Sequence, residues 1–143
     1  MLDLDATIEP GKAAAGVSIG DPVAKLSQAG RPTRTELLDG GELLDFGPVL
    51  VWAKGGAINQ IGVRSGYTGY VGGTPIRIGS AIQQVVDAIG PIVEDDEDNL
   101  IAAHVPGLCF ETEAWRGDPG SETVEENLDA KLTEIYVFAV QAS

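Results

Sequence analysis

The chain repeats one alternation of apolar and polar positions. Gly16-Val17-Ser18-Ile19-Gly20-Asp21 and Pro75-Ile76-Arg77-Ile78-Gly79-Ser80 match at an offset of 59 residues, Gly20 to Gly79. Behind the first stand Val23, Leu26 and Ala29, at i, i+3 and i+6. Behind the second stand Ile82, Val85, Val86 and Ile89, at i, i+3, i+4 and i+7, the stripe one face of a helix presents to a core. Each stripe predicts a short helix with Asp21 or Ser80 as its N-cap and Pro22 in the first turn. Gly30 and Gly90, with Pro32 and Pro91 close behind, supply the stops.

Strand patterns follow in the same order. Gly47–Trp52 lines up with Pro106–Glu111 at the same offset, and Ile58–Val63 with Leu132–Val137 at 74, Ile58 to Leu132. The second passage therefore carries about 15 extra residues, near Trp115 to Ala130. Gly55-Gly56 is a hairpin turn between two strands, and Leu100–His104 reads as a further strand. The expected fold is α+β: an internally duplicated strand-helix-antiparallel-strand unit forming one sheet packed by two short helices. A single domain spans 1–143, with repeat units at about 5–64 and 75–140. A Gly/Tyr loop, 65–74, links them and reads as a flexible connection.

Charge adds a location to this pattern. The 143 residues hold 9 basic and 22 acidic side chains, a formal net charge of −13. Phosphates and anionic lipid would repel such a chain, so nucleic acid and membrane are not its expected partners. Residues 1–74 hold 6 basic and 8 acidic groups, net −2, and residues 75–143 hold 3 and 14, net −11. Much of that acid falls in the run Glu94-Asp95-Asp96-Glu97-Asp98 and in the extra segment with Glu122, Glu125 and Glu126, which opens at Trp115. One Cys and one His exclude a disulfide framework and a Cys/His zinc site, and no cofactor is implied. Acid stands at the N-terminus where a secretion signal needs base, no segment nears the ~20 apolar residues of a span, and a lone Cys109 suits a reducing compartment. The expected location is cytoplasmic.

Candidate chemistry is sparse. Gly16-Val17-Ser18-Ile19-Gly20 matches the G-x-S-x-G nucleophile elbow, with His104 as the single available histidine base. Arg77 takes the place of Ser18 in the second passage, which suits a surface strand position and not a strained elbow. Residues Glu94–Asp98 lack the sixth-position glycine and the closing glutamate of an EF-hand, so no metal is assigned there. Trp52 and Cys109 read as strand core, and His104 as a loop-end histidine. In the link, Tyr67 and Tyr70 are the candidate contact residues, because tyrosine buries area at low entropic cost.

The opener Ile8-Glu9-Pro10-Gly11-Lys12, followed by Gly16–Gly20 and a short helix ending in Gly30, resembles small uncharacterised bacterial proteins that begin with a P-G-K…G-[IV]-x-[LI]-G passage. These are similar to candidate immunity partners of secreted bacterial toxins. The likeness covers about residues 5–32, consists of turn and packing features, and transfers no catalytic residue. The expected function is a non-enzymatic acidic protein that binds a basic protein through Glu94, Asp95, Asp96, Glu97, Asp98, Trp115, Glu122, Glu125 and Glu126. Alternatives are a small-molecule or metal-ion binding module, and a hydrolase using Ser18 and His104.

Overall fold

The computed structural model describes residues 2–95, 97, 99–113 and 123–140. A two-stranded hairpin, β1 (Ala13–Ala14) and β2 (Val17–Ser18), comes first, and a 3₁₀ segment over Val23–Ala29 follows. Then come β3 (Arg34–Leu38), β4 (Gly41–Asp45), β5 (Val49–Lys54) and β6 (Ala57–Arg64). The second half runs α1 (Ile82–Ile89), β7 (Ile92–Glu94), β8 (Leu100–Ala102), β9 (Leu108–Thr112), a 3₁₀ turn over Glu125–Asn127 and β10 (Leu132–Phe138). Strands β3 to β10 form one antiparallel sheet in the order β3-β4-β5-β6-β10-β9-β8-β7. The fold is α+β, and no helix among the described residues is long and apolar enough to cross a membrane.

The two halves meet where β6 pairs with β10, centred on Gly62 opposite Tyr136, with Ile61–Val137 and Val63–Ile135 on either side. Hydrogen bonds recur in both halves at the offsets read from the sequence. Gly20 N–H donates to Ile58 O (2.7 Å) and Gly79 N–H to Leu132 O (2.9 Å). Val23 N–H donates to Gly56 O (2.8 Å) and Ile82 N–H to Ala130 O (2.9 Å). A register shift falls after Trp52 in the β5–β6 pair and before Glu134 in the β9–β10 pair, so one residue of β6 and of β10 (Asn59, Thr133) is bulged.

Local chemistry explains the helices and corrects their caps. Apolar residues spaced by three keep one face of a 3₁₀ helix, and Leu26 is buried. The 3-4-3 spacing in α1 buries Ile82 and Val85. Asp21 and Ser80 do not cap these helices. Each stands one residue too early and accepts the N–H three residues back, Ser18 N–H to Asp21 Oδ2 and Arg77 N–H to Ser80 Oγ, both 3.0 Å. The helix N–H groups go instead to the strand-side carbonyls of Gly56 and Ala130.

The link at 65–74 is tied down, contrary to expectation. Tyr67 is 3% exposed; its hydroxyl accepts the Ala15 N–H (2.9 Å) and donates to Ala6 O (2.6 Å). Ile8 N–H donates to Tyr70 O and Gly72 N–H to Ile8 O, both 2.9 Å. Buried hydrophobics from the N-terminal segment, this link and α1 pack with Val49, Val51, Ile61, Val63, Phe110, Ile135 and Val137 of the sheet into one core. The side chains that alternate with these strand residues stand on the other face of the sheet.

Candidate functional site

Directly opposed residues of neighbouring strands share a face, so the registers place three rows on the open side. One row runs Leu43, Trp52, Gln60, Phe138. The next runs Leu50, Gly62, Tyr136, Cys109, Ile101, and the third Arg64, Glu134, Glu111. These rows form much of the wall of a groove of about 660 Å³, lined by Trp52, Gln60, Cys109, Glu111, Tyr136 and Phe138, with Asp95 and Glu97 on the β7–β8 loop. Trp52 and Tyr136 meet edge to face, ring centres 5.7 Å apart at 66°. Gly62 makes room for them: a Cβ there would stand 2.8 Å from Tyr136 and 3.1 Å from Trp52.

Glu111 and Glu134 are cross-strand neighbours, and the Tyr136 hydroxyl donates to Glu134. Hydrogen bonding to Glu134, then partial burial and the charge of Glu134, push the Glu111 carboxyl up to about 7. Burial, reinforced by Glu134, raises the Tyr136 phenol far above its ordinary value. Arg64 lies across from Glu134 in register, but its Nη2 pairs with Asp45 Oδ1 (2.9 Å) and its Nε donates to Gly47 O (2.6 Å). Burial works to raise Asp45, yet the Gly47 N–H and the Arg64 charge outweigh it and hold the carboxyl below the usual range. Burial first, then the charges of Asp95 and Glu111, push the Cys109 thiol up to about 11, so it stays protonated at neutral pH. Among the described residues no three His, Cys, Asp or Glu side chains converge as metal ligands.

The acidic candidates scatter. Asp95 and Glu97 reach the groove, while Glu94 is exposed on edge strand β7. Asp95 also organises its own loop, accepting the N–H groups of Asn99 and Glu97 (2.9 Å each), which lower its pKa. Glu125 and Glu126 are exposed on the 3₁₀ turn whose chain continues to Leu128, the acceptor for the Gln83 N–H of α1, and they do not line the groove. Asp96, Asp98, Trp115 and Glu122 lie outside the described residues. Tyr67 is a core residue and offers no surface contact. Tyr70 is 45% exposed with the Arg77 guanidinium 5.1 Å from its ring centre.

Ser18 lies in an ordinary strand; the left-handed residues nearby are Ala15, Gly16 and Gly20, so there is no elbow. His104 stands beside Gly90 at the end of α1, and no hydrogen bond joins it to Ser18 among the described residues. Trp52 and Cys109, expected in the core, both line the groove because each alternates with fully buried neighbours. Glu111, Glu134 and Tyr136 match no motif. Their one sequence signal is phase: they alternate with Phe110, Ile135 and Val137.

No family model and no curated protein matches this chain. Among solved structures it is similar to the uncharacterized protein yfeY from Escherichia coli, with 14% identity and a TM-score of 0.67 over 93% of this chain and 99% of that one. At that identity the likeness is one of fold. A cysteine-rich secretory protein from Staphylococcus aureus subsp. aureus Mu50 aligns at 11% identity and a TM-score of 0.49, over 94% of this chain and 50% of that one.

Proposed function

We propose that this chain is a non-enzymatic acidic binding protein that receives a basic protein partner, in the manner of an immunity or inhibitor protein, on the open face of its sheet. The observation that carries this is the groove itself. Part-exposed Trp52, Tyr136 and Phe138 form an apolar floor, with Asp95, Glu97 and Glu111 around it. Aromatic anchors supply contact area, and the surrounding charge speeds association and selects basic partners. The reading keeps the protein in the cytoplasm, where a single thiol stays reduced. It also takes the two halves as copies of one unit, supported by the hydrogen bonds recurring at offsets of 59 and 74 and by the bulge present in each half.

The test is a titration with a synthetic cationic peptide of alternating Lys and Leu, against an anionic Glu/Leu control, in 20 mM and 500 mM salt. Calorimetry on the wild-type protein reads binding, and a Trp115→Phe variant then leaves Trp52 as the fluorescent reporter. The expected result is a change in Trp52 emission with the cationic peptide at low salt, weakened by salt and by Asp95→Lys with Glu97→Lys. Equal response to both peptides, or indifference to the charge reversals, overturns the reading.

A further inference from the structure

We infer that the end of the groove at Glu111 receives an arginine side chain of the basic partner, its guanidinium lying against Tyr136 and bridging Glu111 to Glu134, the cross-strand neighbour outside the groove lining, an inference that rests on the basic-partner function proposed above. Like charges directly opposed on neighbouring strands destabilise a sheet, and Glu111 and Glu134 are so opposed. Among the described residues neither forms an ion pair, because Arg64, their nearest cation in register, is turned to Asp45 and Gly47. Glu111 meets that repulsion by holding its own proton up to about 7. A cation entering from outside would relieve the same repulsion.

The surroundings favour a guanidinium over an ammonium. Its planar fork of N–H donors matches two adjacent carboxylates, whereas an ammonium acts as a point charge. Its flat face stacks on aromatic rings, and this molecule already makes that contact where Arg77 lies 5.1 Å from the Tyr70 ring centre. A groove of about 660 Å³ has room for the side chain and its flanking backbone. The other charged or titratable groups facing the pair are Asp95 and Glu97 from the loop, Cys109 on β9, and Tyr136 and Arg64. On binding, the guanidinium takes the place of the proton on Glu111, which passes to solvent.

The probes are acetylated, amidated tetra-arginine and tetra-lysine, titrated by calorimetry into the wild-type protein at 50 mM salt between pH 6 and pH 8. The expected result is tetra-arginine binding several-fold tighter than tetra-lysine. Its affinity should rise about tenfold from pH 6 to pH 8, as competition from a proton held at about 7 is removed. Calorimetry at pH 7 in phosphate and in Tris should show proton release. Glu111→Gln and Glu134→Gln, each checked for an intact thermal transition, should abolish both the pH dependence and the arginine preference. If both peptides bind equally, with no pH dependence and no effect of either variant, the arginine pocket is overturned and the wider binding function stands. If neither peptide binds at any pH, both fall.

Discussion

Gly62 stands opposite Tyr136 at the centre of the sheet, where any side chain would enter the space of two aromatic rings. Gly62→Ala should therefore cost about 1–3 kcal/mol through overpacking, and it should change Trp52 emission because the ring must move. Equilibrium urea melts followed by fluorescence in the Trp115→Phe background measure both effects. Tyr67 is a different case, since one hydroxyl serves two backbone groups from the N-terminal segment. Tyr67→Phe leaves the Ala15 N–H and the Ala6 carbonyl unpaired near the core and should destabilise by about 1–3 kcal/mol. If the link were the loose connection that its glycines suggest, the variant would melt like the wild type.

Helices and strands show which patterns were readable. The spacing of three in Val23, Leu26 and Ala29 and the 3-4-3 spacing in α1 name the face that packs inward, within which Leu26, Ile82 and Val85 are the buried residues, because a single stripe packs on a single face. Ile82→Ala should cost about 2–5 kcal/mol, whereas Gln83→Ala, one position along on the exposed face, should stay within about 0.5 kcal/mol; paired urea melts decide this. Strand alternation was less transparent. Trp52 and Cys109 look like core residues because they are apolar among apolar neighbours, yet their phase turns them to the open face. The edge strands are also unlike. In β3 every residue is exposed, with Leu37 at 84%, while β7 is three residues long and ends in Glu94. Leu37→Lys should reduce self-association in concentrated solution, measured by sedimentation, because a charge blunts an open edge.

Across the whole molecule, two carboxyls push stability in opposite directions with pH. Asp45 has a folded pKa below its unfolded value, so its contribution is present above about pH 4 and is lost as pH falls. Glu111 is raised to about 7, so its effect on stability is most favourable below about pH 4.5 and is lost as pH rises through 7. Thermal melts should therefore show maximal stability in the mildly acidic range. Glu111→Gln should flatten the decline between pH 5 and 8, and Asp45→Asn should lower the melting temperature near neutrality and flatten the acid limb. An unchanged slope in Glu111→Gln would mean that Glu111 does not hold its proton up to about 7.

Periodicity was legible because a helix stripe and a strand alternation are local: the two helical segments, the Gly55-Gly56 hairpin, strands β5, β6, β8, β9 and β10 and the concentration of charge in residues 75–143 all follow from neighbours in the chain, whereas β3, β4 and β7 carried no such signal. The groove was not, since its parts come from β5, β6, β9, β10 and the β7–β8 loop, and nothing in the chain says that Glu111 and Glu134 will face each other. Their opposition depends on the register of β9 against β10, and that register is set by burying Phe110, Ile135 and Val137 on the far side of the sheet. Of the acidic candidates, Asp95 and Glu97 line the groove, whereas Glu94, Glu125 and Glu126 do not, and the rest of the lining comes from side chains that no motif connects.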